Sequence, residues 1–418
     1  MTACGRTQRR LVLGLTALVL GLAACTAPGA APPPGDTAPT PAAGSSAPTT
    51  STPTASAVPT AAPSTATPSA SPSATCAELV DRLSLEERVG QLLMVAMTST
   101  GLTAEQRAAV RDTAAGSVVL LGNSTAGVRR VRDVVARVRA ASARPEGVEP
   151  LLAADQEGGL VQRLQGPGFD TIPSAVRQAA LSDAELARRA EAWGEQLAAA
   201  GIDADLAPVA DVVPQDLVPV NQPVGQLRRG YGSDPDVVAD KVAAFTTGMD
   251  DAGVATAVKH FPGLGRVRGN TDTTRDVVDE TTTRDDAALR GFRAAVRAGV
   301  DMVMVSSATY ARIDGRRRAV FSPVVVDGMI RDDLGFDGVV ISDDLAAVAL
   351  QDVPAGQRVV RFVQAGGDLA IVGSAAEART MAGALRDRAE RDADFADQVD
   401  RAAAQVLRLK QRRGLTDC

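Results

Sequence analysis

At 418 residues, 45% hydrophobic and 22% charged, the chain is long enough for a large buried core, and length alone suggests about two to three domains. A formal charge of −6 with no long Lys/Arg run argues against nucleic acid or anionic lipid headgroups as partners. The single histidine, His260, excludes a His-rich metal site and leaves a Ser-His-Asp triad one residue to use. Aromatics at 3% are too few for the stacking faces of a long polysaccharide cleft, so any sugar ligand is short.

Arg6, Arg9 and Arg10 precede an apolar run from Leu11 to Ala24, the pattern of a secretory signal and too short to span a bilayer comfortably. The run ends in Leu22-Ala23-Ala24-Cys25, which resembles the bacterial lipobox, in which the Cys becomes the lipidated first residue. An ordinary signal peptide with an incidental Cys is the alternative. The expectation is a signal peptide over residues 1–24 and a lipid anchor at Cys25, holding the protein on the extracytoplasmic face of the bacterial membrane. Loss of residues 1–24 removes three arginines and no acid, leaving −9.

Residues 26–75 cannot pack: of these 50, 45 are Ala, Pro, Ser or Thr, and Asp36 is the one charge. With Cys25 they read as a disordered spacer, reaching at most about 150 Å in polyproline conformation. The folded part is then 76–418, one α/β domain. Cys76 and Cys418 stand at its two ends, where an oxidising compartment favours their pairing; two free surface thiols are the alternative.

From residue 77 apolar runs alternate with amphipathic stretches. The runs are Gln91–Met97, Ser117–Leu121, Leu151–Ala154, Asp205–Val209, Ala255–Val258, Met302–Val305, Val339–Ile341 and Leu369–Val372. Their lack of strict alternation suits parallel strands buried on both faces. Helix starts are marked by Ser84-x-x-Glu87, Ser182-x-x-Glu185, Thr283-x-x-Asp286 and Ser322-Pro323, and a last helix is expected over about 391–413. Eight strands with intervening helices predict a (β/α)8 barrel. An open doubly wound sheet fits less well, since no GxGxxG follows the first strand.

Barrels place their chemistry at the C-terminal ends of the strands. There the sequence sets Asp155-Gln156-Glu157-Gly158-Gly159, Asp211, Lys259-His260, Ser306-Ser307 and Ser342-Asp343-Asp344. Lys259-His260-Phe261-Pro262-Gly263-Leu264-Gly265 and Ile341-Ser342-Asp343-Asp344-Leu345 resemble signature segments of glycoside hydrolase family 3, in its single-barrel bacterial β-N-acetylglucosaminidase branch. Asp155 to Arg163 and Ala207-Pro208-Val209-Ala210-Asp211-Val212 add to the resemblance, which runs over roughly residues 80–410. It implies an enzyme that removes terminal β-linked N-acetylglucosamine from short cell-wall glycans, retaining configuration with Asp343 as nucleophile. It also implies that Asp155, Arg163, Arg229, Lys259 and His260 hold the sugar, with Arg228 an alternative to Arg229. No metal or organic cofactor is expected, and the chain is expected to act as a monomer.

One departure limits the resemblance. The loop after Lys-His ordinarily ends in Asp-Ser-His, whose His is the acid/base, whereas this chain has Asn270-Thr271-Asp272. Three readings follow. Asp272 takes the role, with activity shifted toward acid pH because a free Asp titrates near 3.9. Alternatively, Glu157, Glu280 or another mobile carboxylate serves. Or the protein binds sugar with little turnover. Arg266 and Arg268 suggest capture of a lactyl carboxylate, or of phosphate in a phosphorolytic reaction, against the plainer reading of a solvated basic loop.

Overall fold

The structure is a computed structural model that describes residues 72–418; the signal, Cys25 and most of the spacer lie outside the described residues. Eight parallel strands form the central sheet: β1 (Leu93–Thr98), β2 (Ser117–Leu121), β3 (Leu151–Ala154), β4 (Ala204–Asp205), β5 (Ala255–Phe261), β6 (Met302–Val305), β7 (Val339–Ser342) and β8 (Ala370–Val372). Their order is β7-β6-β5-β4-β3-β2-β1-β8. A bridge between Ile341 and Leu369, with Ser342 N donating to Leu369 O at 2.9 Å, brings β7 against β8 and closes the ring.

All eight apolar runs of the sequence contain strands, five of them with shifted bounds. Gln91 ends the helix Leu85–Gln91 rather than opening β1. The β4 ladder stops early because Pro208 offers a carbonyl to Lys259 N (3.1 Å) but has no N–H to return.

Alternation within each strand separates two cores. Met94, Ala96, Val119, Ala153, Ala204, Ala257, Met302, Met304, Val339, Ile341 and Ile371 fill the barrel. Their neighbours Val95, Val118, Leu120, Leu152, Val258, Val303, Val340 and Val372 face the surrounding helices. Side chains two apart share a face of a strand, so each strand feeds both layers.

The helices begin largely where capping chemistry predicts. Ser84 Oγ accepts from Glu87 N at 3.3 Å while Glu87 Oε2 accepts from Ser84 N at 2.8 Å, a complete capping box. Ser182 caps Asp183–Ala200, which ends at Gly201 with φ +80°, a left-handed terminus that glycine adopts without strain. The Thr283 start is displaced: Asp286 takes the capping position, accepting from Ala288 N at 2.9 Å, and the helix follows as Arg290–Arg297. The last helix, Ala393–Arg412, supplies Val406 and Leu409 to the core inside the barrel. A Cys76–Cys418 disulfide, Cα atoms 4.8 Å apart, joins the ends of the domain across 342 residues of sequence. Closing so long a loop restricts the unfolded chain and contributes about 2–5 kcal/mol.

Candidate active site

The inward face of three strands continues directly into the mouth. Two residues beyond Ala153 stands Asp155, two beyond Ala257 stands Lys259, and two beyond Ile341 stands Asp343. They line a cavity of about 240 Å³ together with Arg163, Arg229, His260 and Asp272. Val119, Leu206, Met304 and Ile371 give it an apolar floor.

One wall is a cluster of paired charges. Lys259 Nζ lies 2.6 Å from Asp155 Oδ1 and 2.8 Å from Glu157 Oε1. Arg229 grips Glu157 with both arms of its fork, Nη2 to Oε1 at 2.6 Å and Nε to Oε2 at 2.7 Å, and donates Nη1 to Pro223 O at 2.8 Å. Burial works against the charge on Lys259, but Asp155 and Glu157 outweigh it and raise its pKa. Burial likewise pushes Glu157 up, and Arg229 with Lys259 overcome this, holding its carboxyl well below the ordinary range. After these contacts Lys259 retains one N–H and Arg229 one Nη1–H for a ligand.

The turn that delivers Glu157 requires glycine. Gln156–Gly158 pairs with Val161–Gln162 in a short hairpin, and Gly158 and Gly159 have φ +97° and +59°. A Cβ on Gly158 would stand 2.5 Å from both Ile172 Cγ2 and Pro173 O.

His260 is buried beside this wall. Its Nδ1 lies 2.7 Å from Asp211 Oδ2, and its Nε2 lies 3.3 Å from Arg229 Nη2. Asp211, fully buried, also accepts the backbone N–H groups of His260 (3.2 Å) and Leu264 (2.8 Å) on Oδ1.

The opposite wall is acidic. Asp343 N donates to Val305 O at 2.9 Å, and Asp343 Oδ1 accepts from Asp344 N at 2.9 Å. Burial pushes the Asp343 carboxyl up to about 6, with Asp272 and Asp344 adding to it. Asp344 is tied to the end of β8: its Oδ1 accepts from Ala346 N and Gly373 N, both at 2.8 Å. A Cβ at Gly373 would lie 2.1 Å from Asp344 Oδ2, so this approach needs glycine. Burial, with Asp272 adding to it, also raises Asp344.

Asp272 is exposed at the rim, on a loop laid over the turn that follows β7. Ala349 N donates to Thr271 O at 3.0 Å, and Asp272 N donates to Asn270 Oδ1 at 3.0 Å. The loop thus carries a carboxylate into the cavity that holds Asp343.

The sequence candidates divide accordingly. Asp155, Arg163, Arg229, Lys259, His260, Asp272 and Asp343 all line one cavity. Arg229 enters it, whereas Arg228 is exposed with φ +57°. Arg163 donates to Asn123 Oδ1 at 3.1 Å, and its buried Nε has no hydrogen-bond partner. Glu157 is corrected from possible acid to clamp, because a carboxylate held charged by two cations has no proton to give. Glu280 is exposed and lines a separate cleft with Arg266 and Arg268. The anion-capture idea fails for Arg266, which is bound to Asp286 Oδ2 and Oδ1 at 2.5 and 3.0 Å.

Sequence reading placed Asp211 at the mouth without giving it a function. Its signal was an acid within the apolar stretch Leu206 to Val213, where a buried carboxylate needs partners.

Residues 84–409 match the glycosyl hydrolase family 3 N-terminal domain. A β-hexosaminidase from Stenotrophomonas maltophilia is 36% identical over 297 residues, covering 67% of this chain and 83% of the relative. A solved β-N-acetylhexosaminidase from Beutenbergia cavernae is 44% identical with a TM-score of 0.77, covering 79% of this chain and 99% of that one. A family 3 β-N-acetylglucosaminidase from Paenibacillus superposes with a TM-score of 0.72 at 28% identity, over 80% of this chain and 64% of the other. With most of its described length matched in this way, the chain belongs to glycosyl hydrolase family 3.

Proposed function

We propose that the protein is a β-N-acetylglucosaminidase that removes the terminal sugar from short cell-wall-derived glycans with retention of configuration. The observation that carries this reading is the position of Asp343: a rigidly held carboxylate at the end of β7, facing a cavity of about 240 Å³ whose other wall offers hydrogen-bond donors. That space suits one pyranose ring. Asp155 accepts from sugar hydroxyls, while Lys259, Arg229 and Arg163 donate to hydroxyls or the acetamido oxygen.

Asp343 attacks the anomeric carbon as Asp272, protonated, gives its proton to the glycosidic oxygen. The leaving group departs and a glycosyl ester on Asp343 remains. The Asp272 carboxylate then takes a proton from water, whose oxygen breaks the ester and frees both the sugar and Asp343. No metal or organic cofactor enters this chemistry. The names of the relatives support the sugar, and the lipobox-like Leu22-Ala23-Ala24-Cys25 with the spacer supports a tether outside the membrane; the enzyme acts as a monomer.

A second reading, a tethered sugar-binding protein with little turnover, is favoured by one observation: the acid at the His position of this branch is an exposed Asp272. Hydrolysis of 4-nitrophenyl β-N-acetylglucosaminide by the full-length protein from pH 4 to 8, with the product anomer followed by NMR, separates the readings. Release of the β-anomer supports the retaining hydrolase. Sugar binding without release supports the second reading, and release that requires inorganic phosphate makes the protein a phosphorylase.

A further inference from the structure

We propose that Asp211 is a positioning residue that locks His260 as its Nδ1-protonated tautomer, so that Nε2 presents a lone pair to Arg229. The inference deepens the reading above by adding a residue to the machinery of the sugar wall.

The argument is an inventory of donors and acceptors. A guanidinium has five N–H groups and accepts nothing. Arg229 spends Nε–H and one Nη2–H on Glu157 and one Nη1–H on Pro223 O. Its second Nη2–H points to His260 Nε2, 3.3 Å away. Two N–H groups cannot face one another at that separation without repulsion, so Nε2 accepts and carries no proton.

The ring proton is then on Nδ1, which faces Asp211 Oδ2 at 2.7 Å, a charge-assisted contact. Asp211 is itself immobile. It is fully buried, and its Oδ1 is held by the N–H groups of His260 and Leu264. Asp211 therefore sets the tautomer, the tautomer sets the direction of Arg229, and Arg229 turns its remaining Nη1–H toward the sugar.

Because His260 is the single histidine of the chain, a spectrum of the full-length protein labelled with ¹⁵N-histidine needs no assignment. Long-range ¹H–¹⁵N correlation of the ligand-free parent is expected to show a protonated Nδ1 and a bare Nε2. In Asp211→Asn the amide N–H donates to Nδ1, so the proton moves to Nε2 and the pattern inverts. The same variant is expected to lose about 10- to 100-fold in kcat/KM on the nitrophenyl substrate, mostly through KM.

A bare Nδ1 or a doubly protonated ring in the parent overturns the proposal, as does an Asn variant that keeps both the parent pattern and the parent KM. The parent spectrum settles the tautomer even where the variant does not fold. It is recorded without substrate, so an inactive parent would count against the hydrolase reading and leave this one standing.

Discussion

The two walls of the cavity treat charge in opposite ways. On the sugar wall, Asp155, Glu157, Arg229 and Lys259 meet in ion pairs of 2.6 to 2.8 Å, and each buried charge has an opposite partner. On the reacting wall, Asp343 and Asp344 accept from backbone N–H groups, and burial, with Asp272 adding to it, raises both. A wall of matched charges keeps its protons and its shape over a wide pH range, which suits binding. A wall of buried, neighbouring carboxylates holds protons more tightly than free carboxylates do, which brings their exchange toward neutral pH and suits acid–base work.

The sharpest test of that contrast is Asp343→Asn, which removes the nucleophile and leaves the sugar wall intact. We expect kcat to fall on the order of 10³-fold or more, with N-acetylglucosamine binding by calorimetry retained. Asp272→Asn is expected to cost about 10²- to 10⁴-fold on N,N′-diacetylchitobiose and far less on the nitrophenyl substrate, whose leaving group needs little protonation. Equal losses on both substrates would place the acid elsewhere.

Glu157→Gln attacks the other wall. It strands Arg229 and Lys259 without their shared carboxylate, at a cost of about 3–5 kcal/mol in urea unfolding, together with a raised KM. A variant of full stability with depressed kcat alone would return Glu157 to the role of acid.

The smallest expected effect is in the pH profile. Asp343 must be ionised to attack and its folded pKa is about 6, so kcat/KM should fall as pH drops through about 6, approaching tenfold per unit below it. This lower limb opposes the acid-shifted optimum expected from Asp272 alone. A profile flat down to pH 4 would show that the nucleophile is not raised.

The fold was largely legible in the sequence because barrel strands leave a local record. Eight apolar runs, each buried on both faces, sit at the intervals that a strand–helix repeat requires. Much of the site was legible for a related reason: Asp155, Lys259 and Asp343 occupy the next inward position after Ala153, Ala257 and Ile341, so chain parity alone carries them into the mouth. Capping residues fared well at Ser84 and Ser182, and less well at Thr283, where Asp286 competes for the first turn.

Side-chain partners were not legible. Glu157 looks like any mobile loop carboxylate until Arg229, 72 residues later, closes on it, and Asp211 and His260 meet across 49 residues. Arg228 and Arg229 are indistinguishable as letters, and the backbone turn at Arg228 decides which one enters the cavity. Periodicity and motif carried the strand–helix alternation, the family and the set of polar residues at the mouth. Tertiary structure alone decided which acids are neutralised and which are left to exchange protons. A carboxyl group's protonation depends on the charges and the dielectric within a few ångströms of it, and those neighbours are chosen by the closing of the barrel.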